Sequence, residues 1–144
     1  ALMIFDTWGG LLSKENYEKF SLSFIQKIIL STKKDGVPII YYSRSKSNFE
    51  ELKKLDINCV GISSENNLGE MYKFYDKKFA IQGNLDVDIL KEDKPIIKKE
   101  VIKTLNAFPF KSGHIFNLGT GITPDIHPDK VAYLVDQVKE LSIK

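Results

Sequence analysis

The run from His114 to Pro124 holds the residues best suited to chemistry. A strand-like apolar segment ends at Asn117 and Leu118, and Gly119, Thr120 and Gly121 follow directly. Glycines just beyond the carboxyl end of a parallel strand let backbone approach a ligand closely, and ligands of α/β proteins gather there. Free backbone N–H groups in such a loop suit a carboxylate or another anion. The dinucleotide fingerprint fails, because the position for its third glycine is Pro124.

Polar and Gly-rich residues recur at the other expected strand ends. They are Asp6-Thr7-Trp8-Gly9-Gly10, Ser43-Arg44-Ser45, Ser63-Ser64 and Gln82-Gly83-Asn84. If the strands are parallel, these segments converge with Asn117 through Thr123 on one face. Asp6, Asp86 and Asp125 each follow a strand, where a carboxylate either meets ligand N–H groups or caps backbone amides. Glu50 and Glu51 beside Lys53 and Lys54 read as a solvated face. Metal binding has little support, since Cys59, His114 and His127 are far apart in sequence. Both histidines are expected as surface or capping residues. No Gly-x-Ser-x-Gly follows a strand, which removes the usual serine hydrolase pattern.

The elements that position these residues alternate strand and helix. Leu2 to Phe5, Val37 to Tyr42, Asn58 to Ile62, Phe79 to Gln82 and Gly113 to Leu118 are apolar runs of strand length. Ser13 is a plausible N-cap for a helix from about Lys14 to Thr32, with Tyr17, Phe20, Phe24 and Ile28 as its inward stripe. Ser47 with Glu50 forms a capping box for a short helix, and Asn67 with Glu70 caps the next, which runs through Tyr75. Pro95 suits the first turn of a helix to about Phe108, with Ile97, Val101 and Leu105 inward. Pro128 opens the last helix, with a stripe of Val131, Leu134, Val135, Val138 and Leu141. The whole reads as α/β with about five βα units and parallel strands. Periodicity alone allows both an open doubly wound sheet and part of a (β/α)8 barrel.

Composition sets the outer bounds. The 144 residues are one domain's worth of chain, with 42% hydrophobic and 28% charged residues. Net charge is +2 and Lys is spread without a basic block, so nothing points to nucleic acid. Cys59 is the single cysteine, which excludes an internal disulfide and fits a reducing, cytoplasmic setting with a buried structural thiol. No stretch reaches the ~20 apolar residues a membrane helix needs. The chain opens directly inside a strand-like run, and a full barrel needs about 250 residues. We therefore expect a single domain over 1–144 that is the later part of a barrel truncated upstream.

Four segments in order resemble the uroporphyrinogen decarboxylase family. Phe5-Asp6-Thr7-Trp8-Gly9-Gly10 is similar to that family's Phe-Asp-Ser-Trp-Gly/Ala-Gly, and the helix containing Tyr17 to Leu22 follows it. Gln82-Gly83-Asn84-Leu85-Asp86 is similar to Gln-Gly-Asn-Leu-Asp-Pro, with Val87 in place of Pro. Phe116 to Ile122 is similar to Phe-Asn-Leu-Gly-His-Gly-Ile, with Thr120 in place of His. The resemblance implies the carboxyl-terminal part of a (β/α)8 TIM barrel. It also implies removal of carbon dioxide from the acetate groups of uroporphyrinogen III, giving coproporphyrinogen III, in haem biosynthesis without cofactor or metal.

By position, the resemblance assigns substrate contact to Thr7, Asn117, Gly119, Thr120 and Gly121, with Asp6, Gln82, Asn84 and Asp86 in support. The family's pyrrole-binding Asp, its arginines and a Tyr belong to the first half, so the chain alone is expected to be inactive. Ser63-Ser64 stands where the family has Asp-Trp, and Thr120 cannot act as a cation or proton carrier near pH 7. The expected partners are a tetrapyrrole and either a second copy or the missing amino-terminal half. A degenerate half-barrel with a binding or assembly role is the alternative. The cobamide-dependent methyltransferase branch typically needs a His-x-Cys pair, which this chain lacks.

Overall fold

The computed structural model describes residues 1–33, 36–44 and 48–142. Five strands, β1 (Leu2–Asp6), β2 (Ile39–Ser43), β3 (Cys59–Gly61), β4 (Ala80–Leu85) and β5 (His114–Leu118), form one sheet. The first crossover comprises α1 (Lys14–Tyr17), a π-helical turn (Glu18–Leu22) and α2 (Ser23–Thr32). Then come α3 (Phe49–Leu52), α4 (Leu68–Phe74), α5 (Lys94–Asn106) and α6 (Pro128–Ser142).

Every neighbouring pair is parallel, and the strand order is β1-β2-β3-β4-β5. This order decides between the two architectures that periodicity allows. A doubly wound sheet reverses direction at a switch point, whereas a (β/α)8 barrel advances by one strand at every crossover. The chain is therefore a five-stranded part of a barrel, with β1 and β5 at the edges among the described residues.

Strand register sorts the side chains into two faces. Ile4, Tyr41, Val60, Ile81 and His114 share the face that carries the helices. The residues that follow them in the chain, Phe5, Tyr42, Gly61, Gln82 and Ile115, line the other face, which in a closed barrel is the interior. Phe5 is 68% and Ile115 43% exposed, so this second face is open at both edges.

Apart from the buried Cys59, which shares the Gly61 face, the core lies on the helical side, in two clusters. One joins Tyr17, Ile25, Ile29, Tyr41, Val60 and Tyr75; the other joins Leu85, Leu90, Ile97, Val101 and Leu134 under the last two strands. Helix starts follow local chemistry. The Ser13 hydroxyl accepts from the Asn16 amide at 3.3 Å, and the Asn67 side chain from the Glu70 amide at 3.0 Å. Pro95 sits in the first turn of α5, and Pro128 opens α6. Ser47 lies outside the described residues; α3 is preceded by Asn48 in the left-handed conformation.

Four details depart from the sequence expectation. Tyr17 is buried, but Phe20, Phe24 and Ile28 are exposed, and Ser21, Ile25 and Ile29 face inward instead. The π turn explains this: one extra residue in the helical ladder delays the inward face by one position. Glu51 is not on a solvated face; it is 3% exposed and pairs with Lys14 at 2.9 Å. In α6 the buried positions are Leu134 and Gln137, while Val135 is exposed.

His114 is half-buried rather than on the surface. It stacks on Phe108 and its Nε2 donates to the Gly83 carbonyl at 2.7 Å. Burial therefore holds its pKa below the usual histidine range. His127 does match the capping expectation, since its Nδ1 accepts from the Asp129 amide at the start of α6. Cys59 is buried and unpaired, and burial pushes its thiol up to about 12. No helix among the described residues is long and apolar enough to cross a membrane.

Candidate active site

Parallel strands carry all five carboxyl ends to one rim, and the loop after β5 leans inward over that rim. The Gly119 amide donates to the Leu85 carbonyl at 2.7 Å, which ties the loop to the end of β4. A Cβ on Gly119 would lie 2.4 Å from the Ser64 amide nitrogen, so only glycine allows this approach to the loop after β3. The Tyr42 hydroxyl, from β2, donates to the Gly119 carbonyl at 2.9 Å. Four of the five strand ends thus meet at one residue. A flat sheet would hold β2 and β5 ~14 Å apart, so the contact reports a curled sheet with its open face concave.

Thr120 follows Gly119 and shares the Tyr42 phenol. Burial raises the Tyr42 pKa, while Arg44 and a hydrogen bond from Thr120 act in the opposite direction. The Tyr42 and Thr120 hydroxyl protons are spent on Gly119 and Tyr42, so what the rim offers an anion is the Arg44 guanidinium and the backbone around the exposed Gly121. Such a set suits an anionic, hydrogen-bonding ligand such as a carboxylate. Gly121 has nothing within 4 Å of where a Cβ would stand, so its surroundings are open.

Other residues named from the sequence occupy distinct places. Asn117 pairs with Asn84 in the β4–β5 register, is exposed, and accepts from the Leu118 amide at 2.8 Å. Asn84 reaches across to β3, donating to the carbonyls of Ser63 at 2.9 Å and Asn66 at 2.6 Å. Gln82 lies between Gly61 and Ile115 on the concave face, with its Oε1 shielded and without a protein partner. Thr7 is exposed at the rim beside the exposed Trp8. Asp86 caps the Asp88 amide at 3.0 Å, and Asp125 pairs with Lys91 at 3.1 Å.

Asp6 belongs to the helical side. Its Oδ1 accepts from the Gly9 amide at 2.9 Å; its Oδ2 accepts from the Ser21 hydroxyl and from the Tyr41 hydroxyl, the latter at 2.9 Å. Tyr41 also meets the Tyr17 hydroxyl at 2.8 Å. A carboxylate only accepts, so Tyr41 spends its proton on Asp6 and Tyr17 donates to Tyr41. Burial pushes Tyr17 up to about 12 and Tyr41 further in the same direction. Asp6 thus holds the Thr7–Gly9 turn at the rim from behind.

Sequence reasoning did not single out Tyr42, Tyr41 or Tyr17 as site or network residues. Alternation along β2 was the available signal for Tyr42, since it separates Ile40 and Tyr42 from Ile39, Tyr41 and Ser43. Two cavities flank the sheet, the smaller beside the rim contacts Ser64 and Leu85. One of about 430 Å³ borders Ser64, Asn66, Asn84, Asp86, Glu100 and Lys103. A larger one of about 930 Å³, near His114, Phe108 and Leu141, sits at the opposite end of β5. No group of three or more His, Cys, Asp or Glu side chains that could hold a metal ion comes together among the described residues.

Comparison with known proteins agrees with this geometry. The family model "Uroporphyrinogen decarboxylase (URO-D)" matches residues 1–141. A uroporphyrinogen decarboxylase of Legionella pneumophila (strain Corby) is 38% identical over 145 residues, covering 99% of this chain and 41% of the relative. One from Hamiltonella defensa is 39% identical over 147 residues, covering 99% of this chain and 41% of its own length. The chain thus spans about two-fifths of the length of the curated relatives it matches. Among solved structures, a methyltransferase from Methanosarcina mazei superposes with a TM-score of 0.79 at 16% identity, over 97% of this chain and 42% of that one. At that identity the likeness is one of fold.

Proposed function

The chain belongs to the uroporphyrinogen decarboxylase family, and from that premise we propose that it is the carboxyl-terminal part of a uroporphyrinogen III decarboxylase. The reaction removes carbon dioxide from the four acetate groups to give coproporphyrinogen III in porphyrin biosynthesis. Protonation of a pyrrole makes the ring an electron sink for the departing carboxylate, so no cofactor is required. Groups of matching charge stabilise the cation that develops. In this chain the share of the work is substrate binding by Thr7, Asn117, Gly119, Thr120 and Gly121. The observation that supports it is the meeting of Tyr42, Ser64, Leu85 and Gly119 at one carboxylate-suited rim.

The remaining catalytic groups would come from a segment completing the barrel at the edges of β1 and β5, in a cytoplasmic enzyme that works as a dimer. Exposed strand edges favour such pairing. Thr120 supports a second reading, a tetrapyrrole-binding relative without turnover, because a hydroxyl does not carry protons near pH 7.

The intact mass of the natural polypeptide comes first, then its incubation with chemically reduced uroporphyrinogen III and chromatography of the oxidised products. Coproporphyrin from a polypeptide of barrel length, with none from the isolated 144 residues, is the expected result. Thr120→His then raises turnover. A barrel-length protein that binds uroporphyrin and yields no coproporphyrin would overturn the enzymatic reading in favour of the binding one.

A further inference from the structure

The Tyr42 side chain crosses the concave face from β2 to the loop after β5. Its ring is seated rather than free. A Cβ on Gly61, its register partner on β3, would lie 2.9 Å from the Tyr42 ring carbon Cδ2, so glycine provides the notch that receives the ring. On the other side the Phe5 ring packs edge-on at 6.0 Å. The hydroxyl then ends on the Gly119 carbonyl, in a loop already tied to Leu85 and pressed against Ser64.

We propose that Tyr42 is a positioning residue: seated on Gly61, it holds the Gly119–Thr120 segment so that the loop's backbone N–H groups face a carboxylate of the ligand. The ligand half of this rests on the proposed function; the positioning half rests on the geometry alone. Gly121, next in the chain, has open surroundings and no Cβ-range neighbour. The stretch after Gly119 therefore draws its order from these anchors. Loss of the phenol hydroxyl leaves the ring in its notch and frees the loop at the Gly119 carbonyl and the adjacent Thr120 hydroxyl.

The test uses Tyr42→Phe in the natural full-length polypeptide, with two readouts. Hydrogen exchange of the Gly119 to Ile122 amides should speed up about fivefold, the equivalent of one neutral hydrogen bond. Affinity for uroporphyrin I, a stable oxidised octacarboxylate, should fall about fivefold for Tyr42→Phe and similarly for Thr120→Val. The double variant should be no weaker than either single, because both act through one contact. Additive losses in the cycle, or unchanged exchange in Tyr42→Phe, would overturn the positioning role. A wild-type protein that ignores uroporphyrin I would overturn the ligand half, and the exchange rates would still decide the role of Tyr42.

Discussion

Replacing Tyr41 by Phe should cost far more stability than replacing Tyr17, although the two hydroxyls bond each other. Tyr41 is fully buried and donates to Asp6; Tyr17 is 1% exposed and donates to Tyr41. Tyr41→Phe removes a hydrogen bond to a charged group, worth about 1.5–3 kcal/mol, at the low end because Asp6 keeps Ser21 and Gly9. It also removes the hydroxyl to which Tyr17 donates, leaving Ser21 beside the Tyr17 hydroxyl, at a further cost of about 1–3 kcal/mol. The sum is about 3–4 kcal/mol. Tyr17→Phe removes one neutral bond and leaves Tyr41 still donating, so about 1 kcal/mol is lost. With a urea slope of about 2 kcal/mol per molar, the midpoints fall by about 1.5–2 M and 0.5 M respectively. The double variant should be no worse than Tyr41→Phe, since no hydroxyl is then orphaned. Urea titration followed by circular dichroism reads all three. Equal shifts for the single variants would refute the assigned direction of the two hydroxyls, and with it the view that Asp6 anchors the rim from behind.

Two further outcomes follow from residues at the two ends of β5. Gly119→Ala places a methyl against the Ser64 backbone and should destabilise by about 1–3 kcal/mol; urea titration giving less than 0.5 kcal/mol would show that the loop yields at no cost. His114 has a folded pKa depressed below 6.5, so the unfolded chain takes up the proton first. Its contribution is intact above pH about 6.5 and declines as pH falls below it, by at most about 1.4 kcal/mol per pH unit. His114→Gln should flatten stability against pH below about 6.5, and an unchanged slope would show that His114 does not titrate differently in the two states.

Strand and helix order was readable because each apolar run is bounded by Gly, Pro or a capping residue. Ser13, Asn67, Pro95 and Pro128 do locally what their chemistry dictates, whatever surrounds them. The inward stripe of the first helix was not readable, because a π turn is decided by tertiary packing and leaves no periodic trace. Glu51 escaped for a similar reason: its partner Lys14 is 37 residues away in the chain and meets it only in the fold. The Gly119 loop was legible as a site by its composition. Tyr42 was not, since nothing local says that a strand residue reaches a loop 77 positions later.

The crossing of the concave face by Tyr42 also bears on how a barrel is put together. Curvature is ordinarily a property of the closed cylinder, shared among all its strands. Here the Tyr42–Gly119 contact shows that curvature already present within five strands. The arc therefore acts as a mould: a segment that adds to the edge of β1 or of β5 meets a sheet already bent, and only its own ordering remains to be achieved.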